Sequence, residues 1–189
     1  MPALHGLTQA EAGHHTDITT PRDVALHVRP ISPADRERLA AAFEALSERS
    51  RQRRFLAPKP RLSSAELTYL TDVDHRTHEA LVAVEPASGR IVGVARYATV
   101  SGAQDTADVA IVVADELQRH GIGTRLLRDL CERAVENGIE HLVATTLHEN
   151  RAARVLLRRI GFRTRSVSGG TLELALDLAP ADAVSPGTG

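Results

Sequence analysis

The sequence contains a single cysteine, little lysine and no long apolar run. Cys131 has no partner for an intramolecular disulfide, and a cysteine-rich metal site is excluded. It falls on the apolar face of a helical pattern, so we expect a packed thiol rather than a nucleophile. No apolar run approaches the about 20 residues of a membrane span, and the N-terminus lacks the features of a signal peptide. We therefore expect a cytoplasmic protein without a membrane partner.

The charge balance argues against a nucleic-acid partner. The formal net charge is −1 at pH 7, whereas general nucleic-acid binders usually carry a basic excess. Lys59 is the only lysine. Codon bias in a GC-rich genome explains this better than a surface kept poor in acetylatable amines. The pair His14-His15 lacks further ligands at a suitable spacing, so we expect no metal.

The chain length of 189 residues suits one domain. Residues 1–22 show no periodicity and are expected to form a flexible N-terminal arm, with a domain over 23–178 and a flexible tail over 179–189. Periodicity and capping residues predict α/β architecture, a mixed central sheet of about six to seven strands flanked by about four helices. The predicted strands are 24–31, 80–85, 91–100, 107–114, 141–147 and two short ones near the end. The predicted helices are 33–45, 64–70, 121–137 and 150–160, with an arginine-rich turn at 47–55.

The stretch Gln118–Leu130, QRHGIGTRLLRDL, places Gly121 and Gly123 at the start of a helix. Glycine costs about 1 kcal/mol relative to alanine inside a helix. A bare helix N-terminus exposes N–H groups and the positive end of the helix dipole, which suits a diphosphate. The stretch has no lysine for a Walker A loop, and Leu126 stands where a dinucleotide fingerprint needs glycine. The alternative is that the glycines serve only the turn. Three arginines could add charge at the rim: Arg119, Arg125 and Arg128.

The spacing Gln118-x-x-Gly121-x-Gly123 after a buried strand resembles motif A of the GNAT superfamily of acetyl-CoA-dependent N-acetyltransferases. The segment from Asn150 to Phe162 resembles the family's N-x-x-A/S…GF segment. Residues 26–56 and the predicted hairpin are similar to the acetyltransferase domain of bacterial cyclic-AMP-regulated protein-lysine acetyltransferases. In that group the domain is often fused to a cyclic-nucleotide-binding or acyl-CoA-synthetase-like module, for which we expect no room here.

The resemblance implies direct transfer of an acetyl group from acetyl-CoA, as co-substrate, to a primary amine, with no metal. The backbone of the strand would pair with the pantetheine arm, and the amides of the following loop would hold the pyrophosphate. The cofactor-binding residues it implies are Ile111, Val112, Val113, Gln118, Arg119, His120, Gly121, Ile122, Gly123, Thr124 and Asn150. Asn150 is also expected to cap the following helix.

The catalytic base is expected to be Asp108, which aligns with a glutamate of the regulated protein acetylases. An amine with a pKa of about 10.4 must lose a proton before it attacks a thioester. The alternative for Asp108 is a solvated carboxylate at a strand start, and Glu79 and His148 are lesser candidates. Leu157 stands where many GNAT enzymes carry a tyrosine that protonates the leaving thiolate, so that step is unassisted, uses water, or uses another group such as Tyr97.

Three functions remain open at this point. The acceptor is a protein lysine or a small amine, or the chain is a non-catalytic acetyl-CoA sensor, a possibility that Leu157 favours and Asp108 opposes. The arginines of 47–55 either face water or contact an acidic substrate surface. A monomer and a homodimer are both compatible with the sequence.

Overall fold

The computed structural model describes residues 16–19 and 25–178. The helices are α1 (Arg36–Ala45), α2 (Glu48–Phe55), α3 (Ser64–Thr71), α4 (Ile122–Glu136) and α5 (Arg151–Ile160). The strands are β1 (Thr16–Thr19), β2 (Ala25–Pro30), β3 (His78–Val84), β4 (Ile91–Val100), β5 (Ala103–Val113), β6 (His141–Leu147), β7 (Arg163–Ser168) and β8 (Thr171–Asp177). None of the helices in these ranges is long and apolar enough to cross a membrane.

The strands form one mixed sheet in the order β1-β2-β3-β4-β5-β6-β8-β7. Neighbouring strands are antiparallel except β5 and β6, which are parallel. The α/β class and the mixed sheet are confirmed. The described ranges contain eight strands and five α-helices, which is more than the sequence predicted.

One additional strand lies in the segment predicted as an N-terminal arm. Thr16–Thr19 pairs antiparallel with β2, from Thr16 opposite Val28 to Thr19 opposite Ala25. This part of the arm therefore extends the sheet. The rest of 1–22, His14-His15 among it, and the tail 179–189 lie outside the described residues, so the division into arm, domain and tail stays a prediction.

The additional helix is α2, and the prediction of an arginine-rich turn at 47–55 was wrong. Ser47 caps the helix, since its side chain accepts a hydrogen bond from the Ser50 amide at 3.2 Å. The carboxylate of Asp115 accepts from the Ser47 amide at 2.8 Å and from the Ser50 hydroxyl at 2.6 Å. The Phe55 ring packs edge-on against Phe43, with 5.7 Å between centroids. The contact with Asp115 comes from a distant part of the chain, so the residues of 47–55 alone do not predict it.

Each face of the sheet carries its own hydrophobic core. On one face α4 buries Leu126, Leu127 and Leu130 against the strands, each contributing about 1.5–3 kcal/mol by leaving water. Leu39 of α1 and Leu70 of α3 are buried on the other face. Cys131 packs against the α4 core, and burial raises the pKa of its thiol to about 11. This supports the expectation of a packed thiol, because the reactive form is the thiolate.

The parallel strands β5 and β6 separate early. They pair only from Thr106–Asp108 with His141–Val143, although β5 continues to Val113 and β6 to Leu147. The opposite edge of β5 stays paired with β4 as far as Val113. Beyond Asp108 one edge of β5 is therefore open toward a gap in the sheet.

Candidate functional site

The gap between β5 and β6 contains the strand residues that the sequence predicted for cofactor binding. Ile111, Val112 and Val113 lie where β5 has no pairing with β6. A strand edge of this kind has free N–H and C=O groups, and an extended ligand can add to it as a further strand. Ile111 and Val113 pack on the α4 side of the sheet, and Val112 packs on the other side. The backbone, rather than any one side chain, is what the gap offers.

The N-terminus of α4 lies beside this gap. Its N-cap Gly121 has φ of +87° and makes no side-chain cap hydrogen bond. The amides of Ile122, Gly123 and Thr124 begin the helix, where N–H groups have no intrahelical acceptor. A Cβ on Gly123 would lie 3.0 Å from Leu156 Cδ2 and 3.4 Å from Ile111 Cδ1. The positive φ favours glycine at 121, and the close packing favours glycine at 123. Because neither residue has a side chain, the amides at the N-terminus of α4 stay uncovered next to β5.

The side chains of the loop before α4 mostly support the loop itself. Gln118 Nε2 donates to the Val113 carbonyl at 3.2 Å and to Ser50 Oγ at 3.3 Å, which ties β5 to α2. The backbone N–H of Gln118 donates to the Asp115 carbonyl at 3.4 Å, so this N–H is not free to bind a phosphate. His120 Nδ1 lies 2.9 Å from the Gln118 carbonyl oxygen.

The three arginines predicted at this rim differ in availability. Arg125 is engaged within α4, because its Nε donates to the Asp129 carboxylate at 2.6 Å. Arg119 and Arg128 are exposed, and Arg119 precedes the helix in a left-handed conformation with φ of +66°. Of the three, Arg119 is therefore the exposed arginine that directly precedes the N-terminus of α4.

Asn150 begins α5 at the far side of the gap. It is buried, and its Oδ1 accepts from the Ala153 amide at 3.2 Å, so its expected capping role is present. This bond leaves the Asn150 amide nitrogen as a possible donor. The hydroxyl of Thr146, at the end of β6, is buried without a hydrogen-bond partner among the described residues. Leu157 is buried in the core below α5, so its position supplies no proton donor.

Asp108 lies at the point where the gap opens. It forms the last β5–β6 pair, with Val143, and stands opposite Ala98 on β4. Asp108 is exposed, and the partial burial of its carboxylate together with the nearby Glu173 carboxylate raises its pKa. A carboxylate with a raised pKa is a better base than an ordinary aspartate, provided that it is still ionised at the working pH.

Glu79, the second candidate base, is committed to structure. It is fully buried. Its carboxylate accepts from Arg133 Nε at 3.0 Å and Nη2 at 2.9 Å, from the Ala80 amide at 2.8 Å, and lies 2.6 Å from His75 Nδ1. These contacts connect β3 to α4 and leave the carboxylate no room for a substrate proton.

Tyr97, the candidate proton donor, is also engaged. Its hydroxyl donates to the Arg76 carbonyl at 2.9 Å and accepts from Asn137 Nδ2 at 2.7 Å. Burial raises the pKa of Tyr97 to about 12. His148, the third candidate for the catalytic base, is exposed in the loop after β6. It lines a groove of about 480 Å³ along α5 together with Glu149, Arg151, Arg154, Val155 and Arg158.

A cavity of about 300 Å³ lies against Asp108, and sequence reasoning did not find it. Its walls come from α2, α3, β3, β4 and β5. The lining residues are Arg54, Phe55, Glu66, Tyr69, Leu70, His78, Arg96, Ala98, Asp108, Val109 and Ala110. A signal was present in the sequence, since Arg96 is a charged residue inside the largely apolar strand β4. Charged and polar groups in buried strands usually have a specific partner or task.

One group of side chains has the composition of a metal site. The ligand atoms of Asp105, Glu140 and His141 lie within 4.8 Å of one another, and all three residues are exposed. His141 Nδ1 is 2.8 Å from Asp177 Oδ1, so one of its nitrogens already has a partner. Exposed acidic groups commonly lie together without an ion, and this trio gives no reason to add a metal to the site.

Comparison with known proteins gives consistent results. A model described as the acetyltransferase (GNAT) family matches residues 41–162. Acetyltransferase Pat of Mycolicibacterium smegmatis is 30% identical over 158 residues, 84% of this chain and 47% of Pat. The chain thus spans about half the length of that relative. Acetyltransferase PA5475 of Pseudomonas aeruginosa is 33% identical over 137 residues, 71% of this chain and 73% of the relative.

The fold also matches a solved structure closely. The GNAT domain of S. lividans PAT superposes with a TM-score of 0.83 at 30% identity. The match covers 90% of this chain and all of that one. The gap, the uncovered helix N-terminus and the carboxylate beside them therefore occur in a fold that a known acetyltransferase domain shares.

Proposed function

Because the chain belongs to the acetyltransferase (GNAT) family, we propose that it transfers an acetyl group from acetyl-CoA to a primary amine, with Asp108 as the general base. One observation carries the proposal. The pairing of β5 with β6 ends at Asp108, so the proposed base lies at the inner end of the gap between these two strands. The uncovered N-terminus of α4 lies farther along the same strand.

The proposed cofactor site follows the open edge of β5. Backbone groups over 109–113 would pair with the amides of the pantetheine arm. The amides of Ile122–Thr124 would hold the pyrophosphate, supported by the exposed Arg119. Asn150 and the unpartnered hydroxyl of Thr146 offer hydrogen bonds on the opposite side of the gap. The groove along α5 offers further arginines for phosphate charge.

The proposed reaction is a direct transfer. Asp108 removes a proton from the acceptor ammonium, directly or through a water. The amine nitrogen then forms a bond to the thioester carbonyl carbon and releases its second surplus proton to solvent, and the carbon–sulfur bond breaks to release CoA as its thiolate. N–H groups of the open β5 edge would stabilise the tetrahedral oxyanion. Since Leu157 and Tyr97 supply no proton, we propose that solvent protonates the thiolate.

The acceptor is proposed to be a protein lysine, on the similarity to the acetyltransferase domain of regulated protein-lysine acetyltransferases. A small-molecule amine is the second candidate, and a specific observation favours it. The cavity beside Asp108 has a volume of about 300 Å³ and is bounded by helices as well as strands, which suits an acceptor that enters whole.

The test combines binding with turnover. Acetyl-CoA and CoA are titrated calorimetrically into the wild type, Asp108→Asn and the control Asp105→Asn, which makes the same change on an exposed residue of the same strand. Release of free thiol is then measured with a panel of small amines and lysine-containing proteins. We expect equal binding by all three proteins and turnover reduced at least about 100-fold only in Asp108→Asn.

Other outcomes separate the alternatives. Tight binding without thiol release on any acceptor would favour a cofactor sensor. Absence of binding would contradict the cofactor site itself. Equal turnover by Asp108→Asn and the wild type would remove Asp108 from the mechanism while leaving the transfer reaction in place.

A further inference from the structure

We propose that the cavity beside Asp108 selects acceptors that carry an anionic group, a carboxylate in the simplest case, near the amine. Arg54 and Arg96 would bind that group. The inference rests on the proposed function and specifies its acceptor. It concerns the α3 side of the sheet, away from the groups that would hold the cofactor phosphates.

Arg96 is a buried cation that no carboxylate neutralises in the part of the chain described. It is 6% exposed. Its Nη2 donates to the Leu70 carbonyl at 2.7 Å, and its Nη1 lies 3.1 Å from His78 Nε2. Burial and the charge of Arg54 lower the pKa of Arg96 to about 9, so it stays charged at neutral pH. A buried cation with only neutral partners is costly, and an anion in the cavity would offset that cost.

Arg54 is the second cation of the cavity, and it is partly buried. Its guanidinium lies over the Phe55 ring, 4.8 Å from the centroid. It forms no hydrogen bond or ion pair with a described residue. Burial lowers the pKa of Arg54 to about 10. Two guanidinium groups in one cavity, the charge of Arg54 lowering the pKa of Arg96, would both gain from a shared anion.

The other polar groups of the cavity do not supply that anion. Glu66 is occupied elsewhere, because its carboxylate accepts from Lys59 Nζ and from the Ser63 amide and hydroxyl. Burial lowers the pKa of His78 to about 4, with the Arg96 charge adding to the effect, so His78 is neutral at pH 7. The negative charge at the opposite side of the cavity is the proposed base, Asp108.

The spacing suits an acceptor with both charges. Ala98 stands directly opposite Asp108, and Arg96 is two residues along β4 on the same face. Side chains in such a diagonal relation start roughly 7–8 Å apart. An ammonium at Asp108 and a carboxylate at the arginines would therefore be separated by a few bonds. A free amino acid has this chemistry, and so does a peptide with an acidic residue next to its lysine.

The kinetic test uses acceptor pairs that differ only in charge. One pair is an α-amino acid and its carboxamide. The other is a lysine peptide with a flanking aspartate and the same peptide with asparagine. They are compared with Arg54→Gln and the control Arg49→Gln, which removes an exposed arginine of the same helix. We expect the wild type and Arg49→Gln to prefer the anionic member by about tenfold or more in kcat/KM, and Arg54→Gln to lose the preference.

The pair that shows the preference identifies the source of the anion, amino acid or acidic peptide. Absence of a preference in the wild type, or a preference that persists in Arg54→Gln, would overturn the proposal. An equal loss of activity by Arg54→Gln on both members of a pair would also overturn it, since that result indicates a structural role.

An equilibrium measurement separates this inference from the transfer reaction. The chain has two tyrosines, Tyr69 on the cavity and Tyr97 in the core. In the CoA-loaded protein, glutarate should shift the ring resonances of Tyr69 and leave those of Tyr97 in place, and glutaramide should shift neither. Arg54→Gln should abolish the effect. This holds even if no amine is acetylated, whereas an unchanged Tyr69 spectrum would contradict anion binding whatever the enzyme does.

Discussion

Asp108 can act as a base only while its carboxylate is ionised, so its environment sets the acid side of the pH profile. The Glu173 carboxylate is one of the two causes that raise the pKa of Asp108. Glu173→Gln removes that charge and should lower the pKa of Asp108, which moves the acid limb of log(kcat/KM) to lower pH. Asp177→Asn, a change on the same strand at a residue that does not act on Asp108, should leave the limb unchanged. An unmoved limb in Glu173→Gln would contradict the assignment.

His78 links the acceptor cavity to protein stability. Its pKa is about 4 in the folded protein and about 6.5 in an unfolded chain. Between these values the unfolded chain binds the extra proton, so stability falls as pH falls from about 6.5 to about 4. His78→Gln keeps an acceptor for Arg96 and removes the titration. Urea unfolding should show that the free energy of unfolding falls less between pH 6.5 and pH 4 in His78→Gln than in the wild type and in His148→Gln. Equal decreases in all three proteins would contradict the argument.

At the level of elements, α4 has a matched pair of glycines, one at each end. Gly121 before the helix and Gly138 after it both have positive φ, +87° and +77°. Alanine at either position should cost about 1–2 kcal/mol of unfolding free energy, because a Cβ disfavours this conformation. Only Gly121→Ala should also weaken CoA binding, since it alone disturbs the amides proposed for the pyrophosphate. Calorimetry on both variants checks this, and equal affinities would place the pyrophosphate elsewhere.

The sequence predicted the elements whose signals are local. The apolar face of α4, the cap at Asn150 and the β3–β4 hairpin all follow from residues close in the chain. The prediction failed for α2, whose N-terminus depends on Asp115, and for the start of β5. β5 begins at Ala103 because this residue pairs with Val100 of β4, and Gln104–Thr106 lie in the register shift before the next pair, Ala107 with Thr99. Such a pairing depends on the neighbouring strand and is not predicted by the local residues.

In the candidate site, too, the features with local sequence signals were predicted and those that depend on distant contacts were not. The open edge of β5 and the start of α4 were anticipated, because motif and backbone lie within about twenty residues of each other. The cavity with Arg54 and Arg96 was not, because it needs α2 and α3 to fold over the strands. Glu79 and Tyr97 remained candidates until the structure placed Arg133 and Asn137 against them. Charge alone does not tell a structural carboxylate from a catalytic one.

At the scale of the whole molecule, the sheet separates two tasks. The α4 and α5 side has the glycine-rich helix start, Asn150 and the basic groove, whereas the α3 side has the cavity and Asp108. The alternation along β5 produces this division, since Val109 and Ile111 pack toward α4 while Asp108 and Val112 face the other way. The gap beside β5 is where the two sides meet, and acyl transfer needs such a meeting point.

This division depends on α4 staying fixed to the hairpin, and the buried pair of Glu79 with Arg133 connects them. Glu79→Gln leaves Arg133 without its buried partner, and breaking such a pair costs roughly 3–5 kcal/mol. We expect a cost at the lower end of this range, because the Arg133 side chain is 25% exposed and water can partly solvate its charge. Glu136→Gln, which removes the exposed carboxylate that contacts the same arginine at 3.4 Å, should cost at most about 1 kcal/mol. Urea unfolding measures both.

The same variants test whether Glu79 has any part in catalysis. Adding Arg133→Gln to Glu79→Gln should cost less than the sum of the two single changes, because the second change removes the unpaired charge. Well below its unfolding midpoint, Glu79→Gln should keep kcat within a few-fold of the wild type, since Glu79 faces α4 and Asp108 faces the acceptor cavity. A large loss of kcat in the folded Glu79→Gln protein, with acetyl-CoA binding intact, would instead identify Glu79 as the base and would require its network with Arg133 and His75 to open during turnover.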